Sequence, residues 1–395
     1  MSALEKPALR LGYTPLSDCA PLIVAQELGL FAEHGLDVRL ERQTSWATSR
    51  DLLRIGALDA AHMLAPAPIA SWMGDGERNL IAPMALSLNG NTIALSARLY
   101  AAIEAVDPQA GASPLQAARA LGVVARRRAE AGEKPLLFAA VFTESNHHLD
   151  LRRWLIAGGV TPEREARIGV VPPVEVEQFL ERGLIDGFCA GEPWGSLAVA
   201  RGVGRIVASS YDLWSNRVEK VLGVSSQFAA ENPRTLDALL QALIRAAQWA
   251  DLDENRAAVA SLLVHGGYLD APIEVVRRGL MGRVAFGPDE AARTNRDFLV
   301  FHRYAANFPW RSQAAWIARA LVQAGLAPEG GAPLSAVRPA LYARAAQALG
   351  APYPLIDSKA EAAHDAPWTL SEASSPIPMG REAAFDGASD AQGAA

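Results

Sequence analysis

The chain has 395 residues and a net charge of −6, with 50% apolar residues, 20% charged residues and a mean hydropathy of +0.08. This composition indicates a folded globular protein of roughly two to three domains and excludes a disordered or collagen-like chain. The acidic balance argues against direct binding to nucleic acid or to a membrane surface. The two cysteines, Cys19 and Cys189, are too few for a disulfide scaffold and form no CxxC motif, so no metal site is predicted.

The first residues lead from a short polar stretch directly into a strand pattern at Leu9–Tyr13. They contain neither the basic segment nor the apolar core of a signal peptide. No window approaches the ~18 uninterrupted apolar residues of a membrane helix. We therefore expect a cytoplasmic protein, unless a start codon upstream adds a signal.

Short strand patterns alternate with helical patterns along most of the chain, which predicts an α/β fold. After the first strand we predict a helix near Ala20–Phe31 and a strand at Leu36–Leu40. The pair Thr44-Ser45 suits the N-cap of a helix at Trp46–Ile55 that ends at Gly56. Further helices are predicted at Glu175–Arg182, Thr235–Leu252 and Gln313–Ala324.

One internal similarity divides the chain. Gly56-Ala-Leu-Asp59 and Gly183-Leu-Ile-Asp186 each follow a predicted helix, and each is followed by a proline, Pro66 and Pro193, at the same distance. The shared pattern predicts two similar α/β lobes with a ligand cleft between them. We assign residues 8–96 to the first part of lobe 1, 97–211 to lobe 2, 212–365 to the return of lobe 1 with a helical extension, and 366–395 to a disordered tail.

Motifs of enzymes are missing from the sequence. There is no Gly-x-x-x-x-Gly-Lys phosphate loop, no His-Glu-x-x-His and no Gly-x-Ser-x-Gly elbow. The adjacent His147 and His148 would point about 100° apart on a helix, which does not suit a shared metal ion. We therefore predict that the protein is not an enzyme and uses no catalytic residue, metal or cofactor.

Four segments carry polar groups that suit anion binding, and each also has an ordinary structural explanation. Asn89-Gly90-Asn91 is either a common turn or an amide donor at the edge of a cleft. Asn146-His147 is either a helix cap with a surface histidine or a helix N-terminus that faces an anion. Glu192-Pro193-Trp194 is either hinge packing or a ligand contact. Lys220 lies either on the solvated face of a strand or in the cleft.

These segments carry a family resemblance, together with Tyr13-Thr-Pro-Leu-Ser-Asp18-Cys-Ala-Pro21-Leu-Ile, Ser45-Trp46, Arg153-Trp154-Leu155 and Glu219-Lys220-Val221. Over about residues 8–330 the sequence resembles the nitrate-binding proteins of ABC transporters, which are related to bicarbonate- and sulfonate-binding proteins. The resemblance implies an α/β, two-lobe periplasmic-binding-protein-like fold of type II. We expect an inter-lobe ligand cleft and a helical C-terminal extension.

The resemblance also implies the ligand site. Lys220 matches the family lysine that pairs with nitrate, whereas bicarbonate relatives tend to have an acidic residue there. His147 matches a histidine near the ligand, and Asn89 stands where transporter proteins tend to have Gln. One departure is His62-Met63-Leu64-Ala65-Pro66, where the family often has an aromatic residue, so the resemblance implies no aromatic stacking on the ligand at Met63. The expected nitrate-binding residues are Lys220, His147, Asn89, Trp46, Gly90, Met63, Glu192 and Pro193.

Combined with a cytoplasmic location, the resemblance is greatest to the NasS-like nitrate/nitrite sensors. It implies a protein that binds nitrate or nitrite between its lobes and controls an RNA-binding, NasT-like antiterminator of nitrate assimilation genes. The first alternative is the substrate-binding component of a nitrate ABC transporter. Two others are a sensor of another small anion, such as a sulfonate, and an enzyme of this fold such as the pyrimidine synthase of thiamine biosynthesis, whose cysteine-rich motif is missing here.

Overall fold

The computed structural model describes residues 3–387. Its strands are β1 (Ala8–Tyr13), β2 (Asp37–Arg42), β3 (Ala60–Leu64), β4 (Leu80–Asn89), β5 (Asn91–Ser96), β6 (Leu136–Ala140), β7 (Ala166–Val170), β8 (Gly187–Gly191), β9 (Gly204–Ser209), β10 (Val218–Ser225), β11 (Arg283–Val284), β12 (Arg293–Thr294), β13 (Leu299–Val300), β14 (Trp368–Leu370) and β15 (Ile377–Met379). Its α-helices are α1 (Ala20–Glu27), α2 (Leu30–Glu33), α3 (Trp46–Arg54), α4 (Pro66–Ala70), α5 (Ala97–Val106), α6 (Pro114–Glu130), α7 (Asn146–Ala157), α8 (Val176–Glu181), α9 (Trp194–Ala200), α10 (Ser210–Leu213), α11 (Ser226–Glu231), α12 (Pro233–Asp251), α13 (Arg256–His265), α14 (Ile273–Leu280), α15 (Arg311–Gln323) and α16 (Pro339–Ala348).

Two larger sheets form the centres of two lobes. The sheet of lobe 1 has the order β13-β4-β10-β3-β1-β2, and that of lobe 2 has the order β7-β6-β8-β5-β9. Each sheet combines parallel pairs, such as β1 with β2 and β6 with β8, with an antiparallel strand, β10 or β5, where the chain changes lobe. Strands β3 and β8 are buried along their whole length, as expected for strands that are covered on both faces. The predicted α/β architecture of two lobes is confirmed.

The chain first crosses between the lobes at Gly90. Strand β4 ends at Asn89 in one sheet, and β5 begins at Asn91 in the other. Both Asn89 (φ 60°) and Gly90 (φ 88°) have left-handed backbone conformations, which these two residue types adopt most readily. The lobe boundary predicted at residue 96 is therefore wrong, because the strand that ends at Ser96 belongs to lobe 2.

A long amphipathic helix, α12, lies in the core of lobe 1. Its buried side includes Leu236, Leu239, Leu243 and Ala247, which follow the three- and four-residue spacing of one helix face. Helix α1 packs against it. Within residues 3–387, no helix combines the length and apolar character needed to span a bilayer.

The C-terminal segment differs from its prediction as a disordered tail. Strands β14 and β15 pair antiparallel, and Trp214 forms a β-bridge with Ala384. The ammonium of Lys359 is buried against Glu361 (2.9 Å) and Glu382 (2.6 Å). Sparse apolar residues and one buried charge cluster hold residues 366–387, so composition alone did not reveal their order. Residues 388–395 of the predicted tail lie outside the described residues.

Candidate functional site

Strand β10 carries Lys220 into the interior, where lobe 1 faces lobe 2. The side chain is completely buried, and its Nζ lies 2.8 Å from Asp18 Oδ2 and 2.9 Å from Glu219 Oε1. The same atom lies 5.7 Å from the centre of the Trp46 ring, within the range of a cation–π contact. The sequence allowed two placements for Lys220, on a solvated strand face or in the cleft. The first is therefore wrong, and the Lys220 side chain points inward.

A β-bulge explains why two successive residues meet at one site. Adjacent side chains on a strand normally point to opposite faces. Val218 of β10 pairs with Leu88 of β4. The next pair joins Lys220 to Ser87, and the register shifts again directly after it, so Glu219 lies in a local irregularity of the pairing between β10 and β4. Bulges re-aim side chains in this way, and here the bulge puts a carboxylate beside an ammonium.

Charge attraction overcomes the cost of burial at this lysine. Burial alone would lower the pKa of Lys220, but Asp18 and Glu219 outweigh it and raise that pKa. Burial would likewise raise the pKa of both carboxyl groups, whereas the ammonium holds both below their usual values. All three groups are therefore ionised at neutral pH.

Two buried histidines flank the carboxylates. His62 Nε2 lies 3.2 Å from Asp18 Oδ1, and His147 Nδ1 lies 3.5 Å from Glu219 Oε1. The ring of His62 also packs on Trp46, with centroids 5.4 Å apart. Burial lowers the pKa of His62 and lowers that of His147 to about 4, so both are neutral at pH 7.

One ammonium, two carboxylates and two neutral imidazoles give this site a formal charge of −1. Within residues 3–387, no group of three or more His, Cys, Asp or Glu side chains is arranged to hold a metal ion. The arrangement therefore offers hydrogen bonds and one cation to a ligand, together with two negative neighbours. We call this set the Lys220 cluster: Lys220, Asp18, Glu219, His62 and His147.

Helix α7 brings lobe 2 to the cluster. Its N-cap is Ser145, whose Oγ accepts from the His148 N–H at 3.1 Å. Asn146 is therefore not the cap that the sequence suggested as one alternative. Its Nδ2 instead donates to the Val218 carbonyl (2.7 Å) and to Glu219 Oε2 (3.1 Å) on β10. The first turn of α7 thus joins the two lobes beside the ammonium.

Several buried polar atoms around the cluster have no hydrogen-bond partner within the protein. Buried polar groups are normally hydrogen-bonded, so such atoms in one place point to a polar ligand. Their neighbours include the Lys220 ammonium, which has three N–H donors and two carboxylate partners. The unpartnered atoms are Trp46 Nε1, Ser17 Oγ, Ser87 Oγ, Asn146 Oδ1 and His147 Nε2.

Three of the residues predicted from the sequence, Lys220, His147 and Trp46, come together here, but Met63 does not. Leu64 pairs with Lys220, and His62 pairs with Leu222 on the same sheet face. Met63 faces the other side, where its Sδ lies close to Gly223. The prediction was displaced by one residue, and it is His62 that faces the ammonium.

Asn89 and Gly90 hold the crossing between the lobes. Asn89 Nδ2 donates to Asn216 Oδ1 (3.1 Å) and to the Asp297 carbonyl (2.7 Å), and its Oδ1 accepts from the Asn216 N–H (3.0 Å). A Cβ at Gly90 would lie 2.8 Å from Leu299. The amide of Asn89 is thus fully used inside the protein, and the structure does not bring either residue to the Lys220 cluster.

Glu192 and Pro193 lie at the seam between the lobes. The Glu192 carbonyl accepts from the Ser17 N–H at 2.8 Å, next to Asp18. Its carboxylate accepts from Thr92 Oγ1 at 3.2 Å, and burial raises its pKa to about 7. The peptide bond between Glu192 and Pro193 is cis. The sequence allowed either hinge packing or a ligand contact for this segment, and these contacts match hinge packing.

Sequence reasoning missed four residues of the site: Asp18, His62, Glu219 and Asn146. Asp18 and Glu219 stand inside the segments that carried the family resemblance, and Asn146 directly precedes His147, so a signal was present. The bulge in β10 could not be predicted from the sequence, and regular alternation along a strand would point Glu219 away from Lys220.

Comparison with known proteins places these features in context. Residues 2–264 match the model of the NMT1-like family. The chain is 31% identical over 373 residues to the nitrate/nitrite binding protein NrtA of Synechocystis, covering 90% of this chain and 80% of NrtA. The crystal structure of the periplasmic nitrate-binding protein NrtA from Synechocystis superposes with a TM-score of 0.82 at 27% identity, covering 98% of this chain and 96% of that one. The predicted two-lobe, periplasmic-binding-protein-like fold is thereby confirmed.

Two further relatives are longer proteins. The nitrate import ATP-binding protein NrtC of Synechocystis is 34% identical over 328 residues, covering 82% of this chain and 47% of NrtC. The bicarbonate transport ATP-binding protein CmpC of Synechococcus elongatus is also 34% identical, covering 82% of this chain and 46% of CmpC. The chain thus spans about half the length of these two relatives.

Proposed function

The chain belongs to the NMT1-like family and to its nitrate-binding, NrtA-like branch, and from this membership we propose that it binds nitrate or nitrite between its two lobes. The observation that carries the proposal is the completely buried ammonium of Lys220 among unpartnered polar atoms from both lobes. Both anions are small, carry one charge and accept hydrogen bonds. A charge-assisted bond from an ammonium is the strongest single contact that such a ligand can receive.

The donors available to the anion come from both sides of the cleft. Lys220 has a third N–H besides the two that face carboxylates. Trp46 supplies its indole N–H, and Ser87 opposite Lys220 supplies a hydroxyl. His147 supplies a ring N–H from lobe 2, so the ligand links the lobes.

The two carboxylates set a condition on anion binding. With neutral histidines the cluster is formally −1, and a monoanion would raise the negative charge in a buried site. Protonation of His147 offsets this charge, because an adjacent anion raises the pKa of an imidazole. We therefore expect the anion to enter together with a proton.

The same carboxylates favour a second ligand, bicarbonate. Unlike nitrate, bicarbonate carries a hydroxyl that can donate to Glu219 or Asp18 while its charged oxygens accept from Lys220. CmpC, whose name refers to bicarbonate transport, is as similar to this chain as NrtC is. Nitrate is our first choice because the sequence resemblance implies that Lys220 stands where the nitrate-binding family has the lysine that pairs with nitrate.

Calorimetric titration with nitrate, nitrite, bicarbonate and taurine separates these ligands. We expect nitrate or nitrite to bind more tightly than the other two. Lys220→Ala should weaken binding by about 1.5–3 kcal/mol, the scale of a hydrogen bond to a charged group. Lys134→Ala, at an exposed residue of lobe 2, is the matched control. Equal nitrate affinity in the Lys220→Ala variant and the parent would overturn the site assignment.

The cellular role of nitrate binding, import or sensing, is a separate part of the proposal. The relatives NrtA and NrtC, whose names refer to nitrate binding and import, favour a component of an ABC-type import system. The resemblance to NasS-like proteins favours a cytoplasmic sensor that releases a NasT-like antiterminator when nitrate binds. Ligand binding changes partner affinity in this way when the partner prefers one lobe arrangement.

Two measurements decide between import and sensing. Cell fractionation shows whether the protein is cytoplasmic, as the sensor requires. Size-exclusion chromatography of the protein mixed with a NasT-like antiterminator, with and without nitrate, tests release. A complex that dissociates with nitrate supports the sensor, and a protein that forms no complex supports import.

A further inference from the structure

The Lys220 cluster is closed to solvent, because the side chains of Lys220, His62 and His147 have no exposed surface. An anion can therefore reach the cluster only when the two lobes move apart. We propose that the anion enters through a small groove between α3, α4 and the loop that precedes α7, and that Arg50 of lobe 1 and Phe142 of lobe 2 form the gate of this groove. The inference rests on the proposed function and describes the route to the same site.

The elements that line the groove also supply the cluster. The groove has a volume of about 180 Å³ and is lined mainly by residues of α3 and α4 from lobe 1 and by Phe142 and Glu144 from lobe 2. Helix α3 begins at Trp46, α4 follows the strand that carries His62, and the loop of Phe142 ends at the first turn of α7. The groove thus continues outward from the cleft. Its volume is below the roughly 300 Å³ of the smallest small-molecule sites, which suits the passage of a small anion.

The gate is a contact between the lobes. The guanidinium carbon of Arg50 lies 5.5 Å from the centre of the Phe142 ring, within the range of a cation–π contact. Arg50 follows Trp46 by one turn of α3, so the two side chains lie on the same face of this helix. The Phe142 carbonyl accepts from Ser145 Oγ at 2.6 Å, and Ser145 also caps α7. A movement of Phe142 is therefore transmitted to the first turn of α7, which contacts Glu219.

The arginines of the groove already have carboxylate partners. Arg50 Nε donates to Asp51 Oδ1 at 2.9 Å. Arg54 pairs with Glu77 and also with Asp51. With Glu144 of lobe 2 included, these five residues have a formal charge of −1. The groove therefore offers no second strong site for an anion, which favours a passage over a place where the anion stays.

The gate contact exists only while the lobes are closed, so it slows the opening through which the anion leaves. Loss of this one contact should raise the dissociation rate of nitrate about two- to fivefold. Stopped-flow tryptophan fluorescence measures this rate in Phe142→Leu and in Arg50→Met. The matched control is Arg54→Met, which removes a charge one turn later on α3, where the partners are carboxylates, and should leave the rate unchanged. Unchanged dissociation in both gate variants overturns the gate.

Two further experiments separate the gate and the route from general packing. Because Arg50 and Phe142 act through one contact, the double variant should release nitrate no faster than the faster single variant, and additive effects overturn the gate. Ala70→Trp places a large ring in the groove and should slow association and dissociation by the same factor, with nitrate affinity unchanged. Ala70→Gln, a smaller change at the same position, should slow both rates less. Parent-like rates in both Ala70 variants overturn the route.

A measurement without nitrate keeps the gate distinct from the proposed function. The Ser17 N–H donates to the Glu192 carbonyl across the lobes at 2.8 Å. It should exchange with deuterium faster in ligand-free Phe142→Leu than in the parent or in Arg54→Met, because the lobes open more often. Equal exchange in the three proteins overturns the gate. A parent that binds neither nitrate nor nitrite, together with faster exchange in Phe142→Leu, overturns the proposed function and supports the gate.

Discussion

The molecule contains two buried lysines of nearly identical setting. Lys220 lies between Asp18 and Glu219 with its Nζ 5.7 Å from the centre of a tryptophan ring, and Lys359 lies between Glu361 and Glu382 at 5.5 Å from another. Burial and ion pairing alone therefore do not separate a ligand site from a structural one. The separation comes from what surrounds each ammonium.

Around Lys359 the hydrogen bonds are closed within the protein. Glu361 accepts from Ser312 Oγ (2.7 Å) and from Gln313 Nε2 (3.3 Å), so the cluster ties the C-terminal segment to α15. Burial raises the pKa of Glu382 to about 7, so this carboxyl group takes up a proton more readily than the carboxyl groups beside Lys220. Around Lys220 both carboxyl groups stay ionised and several polar atoms lack partners. Unused hydrogen-bonding capacity is the feature that distinguishes the proposed ligand site at Lys220 from the cluster at Lys359.

The largest expected effect is on stability. Lys359→Met leaves two buried carboxyl groups without their cation and should lower the free energy of unfolding by about 3–5 kcal/mol. Nitrate affinity of the folded variant should match the parent, because the Lys220 cluster is untouched. Chemical denaturation and calorimetry measure the two quantities. Weaker nitrate binding would break the distinction between the two lysines.

The next effect concerns the charge beside Lys220. Glu219→Gln removes one negative neighbour from the cleft and should raise nitrate affinity about tenfold or more. The matched variant Glu382→Gln changes the same residue type beside Lys359 and should leave nitrate affinity unaltered. Calorimetry compares the two, and a loss of nitrate binding in Glu219→Gln would show that this carboxylate holds the site together instead of opposing the anion.

The pH dependence of nitrate binding follows from His147. Burial holds the pKa of His147 at about 4 in the structure, and a bound anion raises it. A group whose pKa is higher in the complex takes up a proton on binding, so affinity should rise as pH falls from 7 toward 4. The slope should reach at most about tenfold per pH unit for one proton. Titrations at several pH values check this, and an affinity that rises with pH contradicts it.

The smallest expected effect is that of Trp46→Phe. This change keeps an aromatic ring beside Lys220 and removes only the unpartnered indole N–H. Nitrate binding should weaken by about 1 kcal/mol, the scale of one neutral hydrogen bond, with little change in stability. Trp310→Phe beside Lys359 is the control. Equal losses in both variants would point to packing as the cause.

The sequence predicted the two lobes because strand and helix periodicity are local signals, and the family resemblance implied the ammonium with its histidine. Sequence reasoning failed where strand register decides which side chain faces the site. Met63 was chosen although His62 faces the site, an error of one residue that reverses the sheet face. The role of Glu219 depends on a bulge that no local pattern announces.

The C-terminal segment shows a different limit. Residues 366–387 contain few apolar residues, and their order depends on distant partners such as Glu382 with Lys359 and Asp386 with Arg153. Long-range ion pairs between polar segments leave no periodic trace in the sequence. Composition therefore predicted disorder where tertiary contacts produce structure.

The bulge in β10 has a consequence for how relatives are compared. Because the pairing with β4 is irregular on both sides of Lys220, Glu219 and Lys220 can both reach the cleft, whereas regular alternation would leave only one of the two charges there. The sign of the charge offered to the ligand is thus decided by backbone spacing as much as by side-chain identity. Classifying family members as nitrate or bicarbonate binders by the residue type in one alignment column is safe only when the bulge itself has been located in each chain.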